Sequence, residues 1–493
     1  MAIRFGTSGW RAVISEEFTF PNLRRLAHAI AGHIKEHTEY GYAGSEYRQH
    51  LGPHPDPGVP VVVIGYDTRM FSEDFSREIA EVLAASGVRT LLSSADTPTP
   101  VVAWTVLESR ALGGVVLTAS RGPAQLNGIK WIPFWGGPAT SEVTEDIERR
   151  LALVTHQSIR SMAYDKAVRD GWIVVKDFRP GYDRQLRKLI DFKRLKAARL
   201  RLGVDSMHGT ARGYLRPILE ECGLETVGLR EERDVLFGGR SPDPTPENLA
   251  DLAGLMRKKR LDLGLACDGD ADRFGILDAG GEWVSANDVL GLALHHLVTY
   301  KGMKGGVVRS LMTSHFVDAV AKQYGLRVRE TPVGFNHVGD LLRSGDFILG
   351  GEESAGLSIG GHVLEKDGIL ACLLMAELVA CEGKPLAKIR EALFKKVGAF
   401  HNTRVDCRLE DPADAKDLAD RLALKPPLEL AGGSVWRIDQ TDGFKFILKD
   451  GRWLGLRLSG TEPVVRLYAE ASDARGLQAL IDDGKKIIRG GKR

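Results

Sequence analysis

The chain has 493 residues, a length that corresponds to about three or four domains at roughly 100 to 200 residues each. Apolar residues make up 43% and charged residues 27%, as in ordinary globular proteins, so a single small binding module and wholesale disorder are both excluded. The 67 Lys and Arg nearly balance the 65 Asp and Glu, which excludes a nucleic-acid-binding protein and leaves only local phosphate recognition.

The five cysteines are too scattered for a disulfide framework and never have the CxxC spacing of a zinc site. We therefore expect a protein of the reducing cytoplasm. The first residues contain no apolar run of signal-peptide length. The most apolar later stretch, 369–381, includes Glu377 and is too short to span a bilayer, so no membrane role is expected.

Short β-branched runs alternate with helical periodicity along most of the chain, which predicts α/β layers built from βαβ units. Thr19 and Pro21 mark the start of a first helix, and the stretch from Gly41 to Pro60, rich in Gly, Pro and His, is predicted to be an exposed insertion. A strand at 61–64 and a helix ended by Gly87 follow. The apolar stripes of the two helices are Leu23, Leu26, Ala27, Ile30 and Ile34 in the first and Phe75, Ile79, Val82 and Leu83 in the second.

Further apolar runs flanked by Gly or polar residues are predicted to be central strands. They lie at 115–117, 202–204, 261–266, 307–308 and 347–349. From about residue 400 the pattern changes to antiparallel strands before a last helix, which predicts a C-terminal α+β domain with strands at 435–438, 444–448, 453–458 and 464–468. In open α/β sheets ligands bind beyond the carboxyl ends of strands, so loops of successive domains can share one cleft.

The first candidate site is Ser120, on a loop of small residues directly after the strand at 115–117. Such a serine is presented to solvent, although strand-end serines often only cap or turn the chain. Arg121 and Lys130 follow closely and could balance the charge of a phosphorylated serine, which is close to two negative charges.

The second candidate is the segment Asp268-Gly269-Asp270-Ala271-Asp272-Arg273, which follows the run at 261–266. Three carboxylates at alternate positions repel each other unless a hard divalent cation draws them together, and Mg²⁺ is the expected ion. An EF-hand is excluded because its sixth and twelfth positions are Arg273 and Ala279 here. A solvated acidic turn is the alternative.

Two later segments complete the set. Gly350-Gly351-Glu352-Glu353-Ser354-Ala355-Gly356 offers carboxylates and a hydroxyl that suit sugar hydroxyls, or it is only a polar turn. Arg457-Leu458-Ser459-Gly460-Thr461-Glu462-Pro463, with Arg466 beyond, is a candidate phosphate cradle or a simple hairpin loop.

Taken in order, these four segments resemble the α-D-phosphohexomutases, the phosphoglucomutase and phosphomannomutase family, over nearly the whole chain. The resemblance implies three related α/β domains and a smaller α+β domain around a central cleft, at 1–165, 166–300, 301–405 and 406–493. Further segments that resemble the family are Gly6-Thr7-Ser8-Gly9-Trp10-Arg11, Gly65-Tyr66-Asp67-Thr68-Arg69, Thr331-Pro332-Val333-Gly334-Phe335 and Lys366-Asp367-Gly368.

The resemblance also implies roles for individual residues. Ser120 is expected to be the phosphoserine, Lys130 the proton-transfer group, and Arg11 and Arg273 to steady phosphate near it. The expected ligands of Mg²⁺ are Ser120, through its phosphate, with Asp268, Asp270 and Asp272. The expected sugar-binding residues are Glu352, Ser354, Gly334 and His337, and the expected phosphate-binding residues are Arg457, Ser459, Gly460, Thr461 and Arg466.

Two positions depart from the family pattern. After the serine the family usually has His-Asn-Pro, but this chain has Arg121-Gly122-Pro123, so an imidazole that could move protons is missing and an arginine cannot act as a base. Asn336 stands where many members carry a lysine, and the adjacent His337 is its candidate substitute. These departures lead to the hypothesis of weakened or altered activity.

The resulting functional hypothesis is an intramolecular phosphotransferase that interconverts hexose 1-phosphate and hexose 6-phosphate. Its substrates would be glucose and mannose phosphates, with Mg²⁺ as cofactor and glucose 1,6-bisphosphate or its mannose analogue as activator. The alternatives are a catalytically weakened sugar-phosphate-binding or regulatory protein on the same scaffold and, less favoured, a metal-dependent phosphatase. Oligomeric state is left open by the sequence.

Overall fold

The computed structural model describes residues 3–41, 58–411, 413–458 and 463–490, with side chains throughout except at 36–41 and 156. The predicted insertion at 41–60 falls almost entirely outside the described residues. The described chain forms four sheets in succession: three of mixed strand direction and a last one that is entirely antiparallel. The predicted fold class, three α/β units followed by a smaller α+β unit, is confirmed.

The first unit surrounds a six-stranded sheet. Its elements are β1 (Trp10–Val13), α1 (Phe20–Gly41), β2 (Val61–Tyr66), α2 (Ser72–Ala85), β3 (Arg89–Ser93), α3 (Thr99–Ser109), β4 (Gly113–Leu117), β5 (Leu126–Pro133), α4 (Ser141–Leu153), α5 (Tyr164–Arg169) and β6 (Ile173–Lys176). The strand order is β1-β5-β4-β2-β3-β6, with β4, β2, β3 and β6 parallel and β5 antiparallel to both neighbours.

The second unit has five strands in the order β11-β10-β9-β7-β8. Its elements are α6 (Arg179–Leu189), α7 (Phe192–Ala198), β7 (Arg201–Asp205), α8 (Leu215–Glu221), β8 (Glu225–Leu229), α9 (Ala250–Lys259), β9 (Leu263–Cys267), β10 (Phe274–Asp278) and β11 (Glu282–Val284).

The third unit has four strands in the order β13-β12-β14-β15. Its elements are α10 (Ala286–Thr299), β12 (Gly306–Ser310), α11 (Phe316–Gln323), β13 (Val328–Thr331), α12 (Phe335–Arg343), β14 (Phe347–Glu352), β15 (Gly356–Ile359), α13 (Gly368–Glu382) and α14 (Leu386–Val397).

The fourth unit has six antiparallel strands in the order β16-β21-β20-β19-β18-β17. Its elements are β16 (His401–Arg408), α15 (Ala413–Leu424), β17 (Glu429–Leu430), β18 (Gly433–Asp439), β19 (Phe444–Leu448), β20 (Trp453–Leu458), β21 (Val464–Ala471) and α16 (Ala474–Ile488).

The predicted elements correspond closely to the observed ones because their apolar residues form the cores. The stripes of α1 and α2 are fully buried, and the predicted central strands lie in β2, β4, β7, β9, β12 and β14. Gly87 has a positive φ of 77° just after α2, the conformation that ends a helix most easily at glycine. The predicted C-terminal strands lie in β18, β19, β20 and β21.

Strand β6 and helix α10 lie on the other side of a predicted domain boundary from the elements they contact, and the boundaries themselves stay a prediction. Strand β6 follows the boundary at residue 165 but pairs with β3 of the first sheet. Helix α10 precedes the boundary at residue 300 but packs on α11 and α13 of the third unit. In both cases contacts between residues far apart in the sequence decide which unit the element joins, and the local composition does not indicate these contacts.

The buried apolar residues show how the units are joined. One continuous cluster runs through the first three units, from Val63 to Leu393. The fourth unit has a separate cluster of its own, built on residues such as Phe446 and Leu480. A small group made of Leu311, Met312, Trp453 and Tyr468 lies between the third and fourth units. No helix among the described residues is long and apolar enough to cross a membrane.

Candidate active site

Three of the four predicted site loops occupy equivalent positions in the first three sheets. Each connects a strand that is parallel to one neighbour with an antiparallel strand that follows it. These loops contain Ser120 between β4 and β5, Asp268 to Asp272 between β9 and β10, and Glu353 to Ala355 between β14 and β15. Equivalent loops of packed units can converge, and here they meet around one cavity.

Ser120 has a strained backbone and a specific partner. Its φ is 51°, in the left-handed region that costs a non-glycine residue about 1 to 2 kcal/mol. The side chain is buried, and Oγ donates a 2.6 Å hydrogen bond to Oδ2 of Asp268. The Ser120 amide donates to Oγ1 of Thr118 at 2.8 Å. Strain of this kind persists where surrounding contacts fix the backbone, and it clusters at functional sites.

Asp268, Asp270 and Asp272 form a buried cluster in which one carboxylate oxygen of each lies within 4.8 Å of the others. Oδ1 of Asp270 and Oδ1 of Asp272 have no hydrogen-bond partner among the described residues. Burial raises the pKa of Asp268, and the charges of Asp270 and Asp272 raise it further. Unsatisfied buried carboxylate oxygens that repel each other fit a hard cation such as Mg²⁺, so the three residues could bind a metal.

Lys130, on β5, reaches into the same cluster. Its Nζ lies 2.7 Å from Oδ2 of Asp270 and 3.0 Å from Oδ2 of Asp272. Burial alone would lower the Lys130 pKa, but these two carboxylates outweigh burial and raise it. In this state Lys130 is therefore protonated, and its positive charge lies beside the two carboxylates.

Arg273 joins the aspartate loop, residues 268–272, to the loop that contains Ser354. Its amide donates to Oδ1 of Asp268 at 3.0 Å, and Nη1 donates to the carbonyl and the hydroxyl of Ser354, both at 2.5 Å. Glu352 is buried and accepts a 2.9 Å hydrogen bond from the amide of Gly334. Burial raises the Glu352 pKa, and the charge of Arg273 partly opposes this. The sugar-binding candidates are thus held in place by their own partners.

The fourth unit contributes arginines from its sheet. Arg457 lies on β20 rather than in a loop, and its Nε donates to both oxygens of Asp442 at 2.9 and 3.0 Å. Asp442 also accepts a 3.0 Å bond from the amide of Val333 in the third unit. Arg466 on β21 is directly opposite Arg457 in the sheet. The predicted phosphate-binding residues Ser459, Gly460 and Thr461 lie outside the described residues.

One cavity of about 460 Å³ unites these groups at the junction of all four units. Asp268 and Asp270 are fully buried and do not line it. The predicted site residues that line it are Arg11, Ser120, Lys130, Asp272, Arg273, Gly334, His337, Glu352, Ser354, Arg457 and Arg466.

The cavity also contains charged residues that sequence reasoning did not single out. Lys366 lies with its Nζ 3.2 Å from Oδ2 of Asp272 and also pairs with Glu365. The only sequence signal for it was the family-like segment at 366–368, which assigned no role. Arg404, on β16, is clamped by both oxygens of Asp406 and faces the same cavity. No sequence motif surrounds Arg404, so its position at the cavity follows only from the pairing of β16 with β21.

Both departures from the family pattern lie at the cavity. The Arg121 guanidinium is 3.6 Å from Asp243 of the second unit. Burial lowers the Arg121 pKa, as do the nearby charges of Arg273 and Arg404. Asn336 and His337 also line the cavity. Arg121 therefore adds a cation where an imidazole would otherwise stand.

Family models match the chain in four consecutive segments. They describe domains I, II and III of the phosphoglucomutase/phosphomannomutase family, each alpha/beta/alpha, at residues 2–157, 180–281 and 285–397, and the family's C-terminal domain at 405–485. The chain belongs to the α-D-phosphohexomutase family. It is an enzyme of the phosphoglucomutase/phosphomannomutase type, and the resemblance found in the sequence is confirmed.

Relatives of this phosphohexomutase cover it almost completely. A phosphoglucomutase/phosphomannomutase of Thermococcus kodakarensis is 28% identical over 98% of both chains, and a probable phosphoglucosamine mutase of Methanobrevibacter smithii is 30% identical over 99% of both. The crystal structure of a candidate phosphomannomutase from Thermus thermophilus superimposes with a TM-score of 0.83, at 31% identity, over 99% of this chain and 100% of that one. These relatives carry names for three different sugar substrates, so they leave the sugar open.

Proposed function

We propose that this phosphohexomutase interconverts hexose 1-phosphate and hexose 6-phosphate through a phosphorylated Ser120 and a bisphosphorylated sugar. The observation that carries the proposal is the hydrogen bond of 2.6 Å from Ser120 Oγ to Asp268, at a cavity that is also lined by the candidate sugar-binding and phosphate-binding residues. A serine held at a cluster of carboxylates and surrounded by cations is suited to accept and return a phosphoryl group.

In the first transfer, the bond between phosphorus and Ser120 Oγ breaks while a bond forms to the free hydroxyl of the sugar phosphate. The hydroxyl loses its proton and Ser120 Oγ regains one. Lys130 is the candidate proton-transfer group because its ammonium lies within the same carboxylate cluster. Arg11 and Arg273 would steady the moving phosphoryl group, since such transfer depends mainly on positioning and on neutralising charge.

The second transfer requires the bisphosphorylated sugar to turn over and present its other phosphate to Ser120. Glu352, Ser354, Gly334 and His337 would bind the sugar in either orientation. Arg457 and Arg466 would bind the phosphate that does not react, with Ser459, Gly460 and Thr461 completing the cradle. Guanidinium groups suit this task because they bind phosphate through two parallel hydrogen bonds.

Asp268, Asp270 and Asp272, together with the phosphate on Ser120, would hold Mg²⁺. When bound, the ion neutralises negative charge on the transferring phosphoryl group. Oδ1 of Asp270, which accepts no hydrogen bond within the described chain, supports this assignment, as does Oδ1 of Asp272, which lies 3.3 Å from Nε of Arg273 but accepts no hydrogen bond. Glucose 1,6-bisphosphate, or its mannose analogue, would phosphorylate Ser120 and so act as activator.

We infer that glucose and also mannose phosphates are the substrates. The sugar loop reads Glu352-Glu353-Ser354-Ala355-Gly356, which looks like the loop of the glucose and mannose members rather than that of the glucosamine members. Relatives named phosphoglucomutase and phosphomannomutase support this preference, while others named phosphoglucosamine mutase make glucosamine phosphate the competitor to test.

A second function is favoured by one observation. Arg121 occupies the cavity where an imidazole would serve proton transfer, and it cannot act as a base. The second candidate function is therefore a protein that binds hexose phosphates but converts them only slowly. It would show saturable binding and no product above that of a Ser120→Ala variant.

The test is peptide mapping of the purified protein by mass spectrometry before and after incubation with glucose 1,6-bisphosphate and Mg²⁺. We expect phosphate on Ser120 that is lost when glucose 1-phosphate is added, together with formation of glucose 6-phosphate. Absence of phosphate on Ser120 under every condition would reject the phosphoserine mechanism and favour the binding protein.

A further inference from the structure

Arg69 contacts the Ser120 loop and directs both terminal nitrogens of its guanidinium to carbonyls of that loop. Its side chain is fully buried. Nη2 donates to the carbonyls of Ser120 and Gly122 at 2.7 and 2.6 Å, and Nη1 donates to those of Pro123 and Leu126 at 2.7 and 2.9 Å. Nε donates to Oδ2 of Asp67 at 3.0 Å. A guanidinium has five N–H donors, and all five are used here.

The guanidinium is itself fixed from two sides. Oδ1 of Asp67 accepts from the Arg69 amide at 3.0 Å and from Ser72 Oγ at 3.1 Å, so the carboxylate that orients Nε is held at both oxygens. The ring of Phe237 in the second unit covers the guanidinium, with its centroid 4.9 Å from Cζ. Arg69 therefore links the Ser120 loop both to the end of β2 and to the unit that carries the aspartates.

These contacts determine how the Ser120 peptide faces the cavity. The peptide between Ser120 and Arg121 is trans, so a carbonyl that points to Arg69 sends the Arg121 N–H in the opposite direction. In the described part of the chain that N–H has no acceptor. Gly269 of the aspartate loop approaches the same Ser120 carbonyl, where an added Cβ would lie 2.7 Å from it. The carbonyl is thus enclosed by Arg69 and the aspartate loop.

We propose that Arg69 is a positioning residue for phosphoryl transfer. By binding four carbonyls of residues 120 to 126, it holds Ser120 in its left-handed conformation, aims Oγ at Asp268, and leaves the Arg121 N–H available to the phosphate on Ser120. This inference rests on the proposed phosphoserine function. Arg69 does not line the cavity, so it acts through the loop and touches no substrate.

The test compares Arg69→Lys with the wild type and with Arg309→Lys. Lysine keeps the positive charge but has a single nitrogen, so it cannot reach four carbonyls at once. Arg309 is a matched control because it is also buried and also uses its guanidinium for several bonds, but to Asp318, Glu330 and Ser310 in the third unit.

For Arg69→Lys we expect kcat to fall at least tenfold while KM for glucose 1-phosphate stays within threefold. Hydrogen–deuterium exchange should increase in peptides covering 118–126 and stay unchanged elsewhere. Arg309→Lys should keep kcat within threefold and show no change at 118–126. A purely structural role would instead lower the melting temperature and raise exchange throughout the first unit.

A folded Arg69→Lys protein with kcat within threefold of wild type, or with unchanged exchange at 118–126, would overturn the inference. So would equal losses of kcat in both variants. If Arg69→Lys does not fold, Asp67→Asn replaces it. This change weakens the bond to Nε, while one amide oxygen can still accept from the Arg69 amide and from Ser72, and the same two criteria decide. If the wild type shows no phosphate on Ser120, the proposed function fails, and the exchange of residues 118–126 still decides whether Arg69 holds the loop.

Discussion

The hydroxyl of Ser120 and the carboxylate of Asp268 are 148 residues apart in the chain and are joined by a hydrogen bond of 2.6 Å. This bond crosses from the first unit to the second. It places the candidate nucleophile directly on the group of aspartates, before any phosphate or cation is added. The contact depends on the packing of two units, so changes at either partner should affect the same step.

Replacing Ser120 with alanine should abolish mutase activity. We expect a loss of at least about a thousandfold, because the covalent route is removed while the cavity is preserved. The assay is conversion of glucose 1-phosphate to glucose 6-phosphate with Mg²⁺ and a bisphosphate primer. Ser158→Ala, at an exposed position outside the site, is the control. Turnover of the Ser120→Ala protein within tenfold of wild type would mean that another residue carries the phosphoryl group.

Mg²⁺ should stabilise the folded protein and EDTA should inactivate it. A cation that binds only the folded state adds about 2.7 kcal/mol at one hundred times its Kd. Calorimetry with and without Mg²⁺ measures the effect, and we expect the ion to raise the melting temperature. In Asp270→Asn the rise should be much smaller, since one of the three charges is lost. An equal rise in both proteins would place the ion elsewhere.

Restoring the family pattern at the two departures should raise activity. In Arg121→His combined with Asn336→Lys we expect kcat to increase more than tenfold, a change of about 1.4 kcal/mol in the barrier. Loss of the partly exposed Arg121–Asp243 pair should cost less than about 1 kcal/mol of stability. Steady-state kinetics of the wild type and the double variant test this prediction. If their kcat values lie within tenfold of each other, the hypothesis of weakened activity is refuted.

Asp442 should control how firmly the fourth unit holds substrate phosphate. Because it binds both Arg457 and the amide of Val333, Asp442→Asn should raise KM about three- to tenfold and leave kcat within twofold, as expected for loss of about 1 kcal/mol of binding. Asp439→Asn is the matched control, since Asp439 also binds an arginine and an amide, those of Arg437 and Thr441, but neither of these partners lines the cavity. Equal effects of the two variants would contradict the assignment.

Lys445 should make stability depend on pH in alkaline solution. It is fully buried between the third and fourth units, donates to the Leu311 carbonyl at 2.5 Å and lies 3.1 Å from the ring of His315. Burial lowers the Lys445 pKa to about 8, and the charge of Arg309 adds to this, while Glu330, Glu470 and Asp318 oppose it. Burial also lowers the His315 pKa, to about 2, so that ring stays neutral.

The sign follows from proton binding. Between pH 8 and the ordinary lysine value of 10.5, the unfolded chain binds the proton and the folded chain does not, so stability rises with pH across that window. The total gain is about 3 kcal/mol at 1.36 kcal/mol per pKa unit. Urea unfolding of the wild type and of Lys445→Met from pH 7.5 to 10.5 isolates this contribution. The other titrating groups cancel when the two free energies of unfolding are subtracted. A difference that does not change with pH would show that Lys445 titrates normally.

The sequence was sufficient wherever a local pattern decides the structure. The apolar stripe of α1 and the small-residue loop after β4 each follow from a few neighbouring residues, and the spacing of Asp268, Asp270 and Asp272 already indicates a cation site. The family resemblance, and with it the fold class, rested on four such segments and is confirmed.

Contacts between units could not be predicted in this way. Arg273 meets Ser354 across 81 residues, and Arg404 reaches the cavity only because β16 pairs with β21. In the sequence Arg69 is only the last residue of a segment that follows a strand. No neighbouring residue indicates that it binds four carbonyls of residues 120–126. In each case the packing of separate elements determines the partner, and no local spacing encodes that packing.

The separation of the apolar cores implies that the protein melts in two steps. The first three units share one continuous cluster, although the first also has a second cluster of its own, and they should unfold together. The fourth unit has a separate cluster and adjoins the third through a small apolar group and a few buried polar bonds. When the fourth unit opens first, Arg457 and Arg466 leave while Ser120, Asp268 and Arg69 remain assembled. The intermediate would then keep the serine and the aspartates but lose two of the cavity's guanidinium groups, so warming should abolish the binding of hexose phosphates before the first three units unfold.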